Sequence, residues 1–114
     1  MRRIVHVDNS AFFRKLMKVF LAELGLESDG FDKGQDAVDA VNKGGVSCVI
    51  TGLELPDMSG ENLIEEIKST GRSLTIIAVT ASGDAERIKN LEAMGVKATI
   101  QKLGDWKEKL REYL

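Results

Sequence analysis

Apolar and polar residues alternate along this chain between short runs typical of strands and longer stretches with helical spacing. Val46–Thr51 and Leu74–Thr80 are largely apolar and rich in β-branched residues, as in central strands that helices cover on both faces. Ile4–Val7 and Ala98–Gln101 are shorter runs, whereas Leu26–Phe31 is polar and interrupted by glycine. Such a polar segment suits the edge of a sheet. The pattern therefore predicts five strands, the second of them at an edge.

Amphipathic segments separate these strands. The first begins after Ser10, a favourable N-cap residue, and ends at Gly25. Four more are predicted at Asp36–Lys43, around Leu63–Ile67, at Asp84–Met94 and from Trp106 to the C-terminus. Because strands and helices alternate throughout, right-handed crossovers and a parallel sheet between two helical layers are favoured. We therefore predict a doubly wound α/β architecture with five strands and five helices.

Composition limits the class of function. At 114 residues the chain has the length of a single domain, which we assign to residues 1–114. Its formal net charge of -2 gives no general attraction for nucleic acid or for an anionic membrane, and no apolar run is long enough for membrane insertion. Cys48 is the only cysteine, so an internal disulfide is excluded and a cytoplasmic location fits best. Proteins or small molecules are the expected partners.

Candidate chemistry gathers where the predicted strands end. In an open parallel sheet the carboxyl ends of the strands meet at one edge, and ligands bind there. The strands of this chain are followed by Asp8 and Asn9, by Gly52, by Thr80 and by Lys102. An acid, a hydroxyl and an amine are therefore expected to face one crevice.

Four motifs in this order resemble those of a known family. They are Val5–Ser10 (VHVDNS), Val49–Gly60 (VITGLELPDMSG), Val79–Ala81 (VTA) and Ile100–Lys102 (IQK). With this spacing the chain resembles, over essentially its whole length, the CheY-like receiver domain of two-component response regulators. The resemblance implies a flavodoxin-like sheet with the strand order 2-1-3-4-5 and a module of phosphorelay signal transduction.

The resemblance also implies roles for individual residues. In that family an acidic pair after the first strand binds magnesium, and an aspartate after the third strand accepts a phosphoryl group. A hydroxyl after the fourth strand and a lysine after the fifth contact the phosphoryl oxygens. Asp8 matches one acid of the pair, Thr80 the hydroxyl and Lys102 the lysine.

At other positions the chain departs from the family pattern. Asn9 replaces the second acid, Thr99 stands where an aromatic switch residue is common, and Leu103 replaces a proline. Gly52 replaces the phosphoacceptor itself, and Pro56, four residues further on, fixes this alignment. The departures identify a degenerate receiver, a pseudo-receiver.

These losses have chemical consequences. Glycine has no side chain with which to attack a phosphoryl group, so we do not expect phosphorylation at Gly52. We also expect no enzymatic activity, because the chain has one histidine, no activated thiol and no nucleophile–base pair. Magnesium prefers several anionic oxygen ligands, and only Asp8 remains, so binding is expected to be weak or absent and no cofactor is required. Removing the neighbouring carboxylates leaves Asp8 free to form an ion pair with Lys102. Glu54, two residues beyond Gly52, completes the vestigial pocket, and its side chain is expected to point outward.

The leading functional hypothesis is a phosphorylation-independent protein-interaction domain. Its partner face would be formed by the fourth helix, fifth strand and fifth helix, with Ile88, Leu91, Thr99, Trp106 and Leu110. Two alternatives stay open: a sensor that binds a small anion through Thr80 and Lys102, and a receiver phosphorylated at a non-standard residue. Self-association into a homodimer is also open.

Two features outside the crevice carry expectations of their own. His6 lies within the first strand, where a buried, hydrogen-bonded histidine is expected. Arg14, Lys15 and Lys18 lie opposite the apolar stripe of the first helix, which is typical of a solvated face, although a docking patch is the alternative.

Overall fold

Five parallel strands form one sheet in the computed structural model, which describes residues 3–114. The strands are β1 (Arg3–Val7), β2 (Glu27–Phe31), β3 (Val46–Thr51), β4 (Thr75–Thr80) and β5 (Ala98–Gln101). Their order is β2-β1-β3-β4-β5, so β2 lies at an edge as its polar sequence predicts. The flavodoxin-like topology is confirmed. It brings the carboxyl ends of β1, β3 and β4 side by side, because Val7 pairs with Thr51 and Thr51 pairs with Ala78.

Five helices cover the two faces of this sheet. They are α1 (Ala11–Glu23), α2 (Gly34–Lys43), α3 (Gly60–Ser69), α4 (Ala85–Ala93) and α5 (Trp106–Arg111). Ser10 caps α1, since its hydroxyl accepts a hydrogen bond of 3.1 Å from the Phe13 N–H. Gly25 ends the helix with φ of 75°, a conformation that favours glycine. Within residues 3–114, no helix has both the length and the apolar character needed to cross a membrane.

The start of α2 and the end of α5 differ from the sequence prediction by two residues or more, whereas α4 is one residue shorter than predicted at each end. α2 begins at Gly34, two residues earlier than predicted, because the Asp57 carboxylate accepts hydrogen bonds from the backbone N–H groups of Gly34 (2.8 Å) and Gln35 (3.0 Å). α5 ends at Arg111 instead of continuing to the C-terminus. The Tyr113 N–H instead bonds to the carbonyl three residues earlier, as in the tight last turn of many helices.

The core consists of one apolar layer on each face of the sheet. Residues of β1 alternate between them: Val5 and Val7 pack with α2 and α3, whereas Ile4 packs with α1 and α5. His6 is 3% exposed, as expected for a buried histidine. The expectation that it is hydrogen-bonded is wrong, because neither ring nitrogen has a partner among residues 3–114.

Candidate functional site: the crevice at the strand ends

A crevice of about 280 Å³ lies at the carboxyl ends of β1, β3, β4 and β5. The topology brings together all six residues that the sequence assigns to the vestigial pocket: Asp8, Asn9, Gly52, Glu54, Thr80 and Lys102. Parallel pairing places these strand ends at one edge of the sheet, and this explains why residues far apart in sequence line the same depression.

The strongest electrostatic contact of the crevice joins β1 to the segment after β5. The Lys102 ammonium lies 2.7 Å from Asp8 Oδ2, which confirms the predicted ion pair. The other carboxylate oxygen, Oδ1, accepts a hydrogen bond of 2.8 Å from the Ser10 N–H. Lys102 Nζ also lies 4.2 Å from the centre of the Phe13 ring, a favourable cation–π distance. Both oxygens of Asp8 and the ammonium of Lys102 therefore have partners within the protein.

Gly52 lies at the floor of the crevice and is buried. Its N–H donates a hydrogen bond of 2.8 Å to the Val7 carbonyl, which continues the pairing of β3 with β1. A Cβ atom built on Gly52 would lie 3.3 Å from Asp8 Oδ2, so the Asp8 carboxylate borders the space that a side chain at this position would enter. A Cβ atom added to Gly60, the first residue of α3, would lie 2.7 Å from the Gly52 carbonyl oxygen. Position 60 therefore requires glycine.

The hydroxyl groups of Thr51, Thr80 and Thr99 have different surroundings. Thr51 is fully buried and donates a hydrogen bond of 2.7 Å to the Gly52 carbonyl. Thr80 is 6% exposed, and its hydroxyl oxygen accepts a hydrogen bond of 3.0 Å from the Ser82 N–H. Thr99 Oγ1 is buried and lacks a hydrogen-bond partner within the described part of the chain. Of these three hydroxyls, only that of Thr80 belongs to a residue that lines the crevice.

The donor set of the crevice does not fit a magnesium ion. Magnesium requires near-octahedral oxygen coordination with anionic ligands, and Asp8 is the one carboxylate directed into the site. Its two oxygens are engaged by Lys102 and Ser10, and a cation there would compete with the Lys102 ammonium. No cluster of three or more histidine, cysteine or acidic side chains suitable for a metal occurs among residues 3–114.

Arg87 lies beside the crevice and holds Glu54, one of its lining residues, a contact that the sequence analysis missed. Its guanidinium binds both oxygens of Glu61, at 2.7 and 2.9 Å, and one oxygen of Glu54 at 2.5 Å. It also donates to the Leu53 carbonyl at 3.3 Å. These contacts tie the first turn of α4 to α3 and to the loop after β3. The Arg87 hydrogen bonds lower the pKa of Glu61, and the two carboxylates raise the pKa of Arg87.

Glu54 lines the crevice, but its carboxylate is turned toward Arg87 and its side chain is 78% exposed. This agrees with the expected outward orientation. No local sequence signal marks Arg87, because its acidic partners are 26 and 33 residues away in the chain.

The predicted partner face needs correction. Leu91 and Leu110 are fully buried, and Trp106 is 8% exposed. Trp106 packs against Phe13 and Phe20 with ring centres 4.9 and 5.5 Å apart, so it belongs to the core between α1 and α5. Helical spacing alone did not distinguish this inward stripe from an exposed one. Only Ile88 and Thr99, both half-buried, retain some exposure among the five predicted residues.

Comparison with known proteins agrees with this geometry. The sequence model of the response regulator receiver domain matches residues 4–114. The chain is 28% identical over 99 residues to the sensor histidine kinase RcsC of Escherichia coli, covering 87% of this chain and 10% of that protein. The transcriptional regulatory protein PcoR of Escherichia coli is 27% identical over 93 residues, with 81% of this chain and 41% of PcoR covered. The chain thus spans a tenth of the kinase and less than half of the regulator.

Solved structures support the same fold. A CheY-like response regulator receiver domain protein from Methanospirillum hungatei has a TM-score of 0.89 at 21% identity, with 99% of this chain and 90% of that chain covered. Chemotaxis protein CheY4 of Vibrio cholerae has a TM-score of 0.88 at 20% identity, with coverages of 99% and 95%. At this level of identity the likeness establishes the architecture.

Proposed function

This chain belongs to the response regulator receiver domain family, and we propose that it is a receiver which signals through protein contacts without accepting a phosphoryl group. Receiver domains act in two-component signalling pathways together with protein partners. The observation that carries the proposal is Gly52 at the acceptor position beside an Asp8–Lys102 ion pair. The position that should supply the nucleophile has no side chain, and the lysine that should contact the phosphoryl group is neutralised by a carboxylate.

The contacts around Gly52 support the proposal that no other residue replaces the acceptor. The Thr51 hydroxyl is fully buried and bonded to the Gly52 carbonyl. The Glu54 carboxylate is held by Arg87, and Asp57 accepts two backbone hydrogen bonds at the start of α2. Since a nucleophile must first reach the phosphoryl donor, these contacts argue against phosphorylation at a non-standard residue. They also support the proposal that the chain has no catalytic activity of its own.

The alternative of an anion sensor in the crevice has weaker support. An anion there would have to displace the Asp8 carboxylate from Lys102, and the 2.7 Å contact is already well formed. The Thr80 hydroxyl oxygen already accepts the Ser82 N–H, although its own proton is still available for donation. We therefore place the interaction of this domain on its protein surface and not in the crevice.

Partner contact is proposed at the two ends of α5. Leu103, just before the helix, is 57% exposed, and Tyr113, just after it, is 40% exposed. Tyrosine and large apolar residues are favourable anchors in protein interfaces. The buried Trp106 and Leu110 would hold the helix in place beneath this surface.

The proposal is tested by exposing the chain to acetyl phosphate with magnesium, and separately to beryllofluoride with magnesium. Intact mass would detect a covalent phosphoryl group, and amide NMR spectra would detect binding in the crevice. We expect an unchanged mass and no magnesium-dependent shifts at Thr80 or Lys102.

The matched control is Gly52→Asp combined with Asn9→Asp, which returns both lost carboxylates. This variant is expected to respond to beryllofluoride with magnesium, because the acceptor and the metal ligands are then present. A phosphorylated natural chain would overturn the proposal. A second copy of this chain as the partner would appear as a dimer in size-exclusion chromatography with light scattering, and Leu103→Ser would then weaken that dimer.

A further inference from the structure

The loop between β3 and α3, residues 53–59, is closed by hydrogen bonds of its own backbone. Its two ends are joined, since the Gly60 N–H donates to the Leu53 carbonyl at 2.8 Å. Within the loop, the Leu55 N–H donates to the Met58 carbonyl at 3.2 Å. Because both bonds fix the backbone, we expect this β3–α3 loop to move as one body.

One side of the β3–α3 loop caps α2. The Asp57 carboxylate accepts hydrogen bonds from the N–H groups of Gly34 (2.8 Å) and Gln35 (3.0 Å), which a helix start leaves without helical partners. The N-cap residue Lys33 makes no side-chain capping bond. Met58 lies against the same turn, because a Cβ atom built on Gly34 would lie 2.6 Å from Met58 Sδ. The start of α2 is therefore held from the loop and not by its own N-cap side chain.

The other side of the β3–α3 loop holds α4. Arg87, in the first turn of α4, donates to the Glu54 carboxylate at 2.5 Å and to the Leu53 carbonyl at 3.3 Å. α4 itself buries only one side chain, that of Leu91. With so little apolar burial, the position of α4 depends strongly on the contacts of Arg87.

The two anchors of the loop are close in sequence and open to other proteins. Asp57 and Glu54 are three positions apart, and both are exposed. A protein that contacts the Asp57 carboxylate would compete with its bonds to α2. Because the loop backbone is fixed between the anchors, a displacement at Asp57 is passed to Glu54 and from there to Arg87.

We propose that the β3–α3 loop couples the start of α2 to α4, so that loss of the Asp57 contacts loosens α4 through Glu54 and Arg87. The coupling rests on the function proposed above, because a receiver that signals through protein contacts needs a route between surfaces that does not pass through a phosphoryl group. Coupling between two sites is reciprocal. Loosening α4 should therefore also weaken the Asp57 cap on α2.

Amide hydrogen exchange of the whole chain, measured by NMR, tests the coupling. Asp57→Ala removes both acceptor oxygens, and exchange in Ala85–Ala93 should become about threefold faster, on the scale of substitutions that alter coupling between sites. Exchange in α1 should stay unchanged. Asp57→Asn, which keeps one acceptor oxygen, should give a smaller acceleration. Glu66→Ala, at an exposed acidic residue of α3, is the matched control and should leave α4 unchanged.

The Arg87→Ala background shows whether the effect travels through the loop. There, Asp57→Ala should produce no further acceleration in α4, because the link on which it acts is already broken. The reciprocal measurement is exchange of the Gln35 amide, which should be faster in Arg87→Ala than in the natural chain.

Several outcomes overturn the coupling. They are unchanged exchange of α4 in Asp57→Ala, equal acceleration of α1 and α4, an equal effect of Glu66→Ala, and an effect of Asp57→Ala that persists without Arg87. None of these outcomes bears on phosphorylation. A phosphorylated natural chain would instead overturn the proposed function and leave the measured coupling in place.

Discussion

The crevice differs from the groove between α1 and β2, which His6 lines, in how its polar groups are satisfied. In the crevice, Asp8 is paired with Lys102, and Glu54 is paired with Arg87, which lies beside the crevice. In the groove, the His6 ring has no hydrogen-bond partner within the described residues, and the cations around it lack acidic partners. The crevice lies at the carboxyl end of β1 and the groove is lined by His6 within β1, yet only the crevice has its charged groups paired.

The difference determines how each region responds to an added ion or to a change in pH. A site whose charges satisfy one another gains little from a further ion, because that ion must replace contacts that already exist. The unpaired ring nitrogens of His6 have almost no accessible surface, so the cost of burying them appears in the pH dependence of stability and not in ligand binding. The crevice, which resembles the phosphorylation site of a receiver, is therefore the region with fewer unsatisfied polar groups. The largest change in stability should accordingly come from His6.

The largest expected effect concerns pH and His6. Its pKa of about 4 in the folded chain lies below the value of about 6.5 in the unfolded chain, mainly because of burial. The unfolded state therefore takes up the proton first as pH falls, and stability is lost between these two values. The free energy of unfolding should fall by about 3 kcal/mol from pH 7 to pH 4 through this residue.

His6→Leu is the control for this prediction, since leucine cannot titrate. Urea unfolding of both chains at a series of pH values gives the difference between their free energies of unfolding. That difference should grow by about 3 kcal/mol on acidification, in favour of the variant. Parallel curves for the two chains would show that His6 is accessible to protons or hydrogen-bonded in solution.

A smaller effect is expected in the crevice. Lys102→Met leaves the Asp8 carboxylate without its cation, and the Asp8 side chain is only 10% exposed. We expect a loss of about 2 kcal/mol in the free energy of unfolding, less than for a fully buried pair, because 22% of the Lys102 side chain is exposed to water.

A double-mutant cycle with Asp8→Asn tests whether this loss comes from the pair. The two substitutions together should cost less than the sum of the single changes. Lys109→Met is the matched control, because Lys109 and Asp105 form an ion pair of 3.6 Å with both side chains 57% exposed, and its loss should change little. Additive costs in the cycle would mean that Asp8 and Lys102 are not coupled.

The sequence predicted those parts of the molecule that depend on local patterns and topology. Runs of β-branched residues gave the strands, and helical spacing gave the helices, because both periodicities follow from backbone geometry. Asp8, Thr80 and Lys102 could be assigned to one crevice because the parallel order forces their strand ends together. The Asp8–Lys102 pair followed from the loss of an acid at Gly52.

Features set by distant side chains escaped prediction. The early start of α2 depends on Asp57, more than twenty residues away. The burial of Trp106 depends on Phe13 and Phe20 of α1. Most buried polar groups are hydrogen-bonded, and this general rule gave the wrong prediction for His6 because its surroundings in the packed interior offer its ring nitrogens no partner.

The smallest of the three effects concerns Arg87, which lies beside the crevice and links α4 to Glu54 and Glu61. Arg87→Ala removes the link from α4 to Glu61 and Glu54, and its cost should be about 1 kcal/mol because these are partly exposed pairs. Hydrogen exchange should accelerate in Ala85–Ala93 and stay unchanged in α1.

Arg72→Ala is the comparison variant, because the Arg72 side chain donates to the Asn42 carbonyl and forms no ion pair within residues 3–114. It should leave exchange in α4 as it is in the natural chain. If α4 exchanges at the same rate with and without Arg87, the guanidinium does not restrain the helix. Asp8 and Lys102 alone would then account for the paired charges of the crevice. α4 could in that case move without a phosphoryl group.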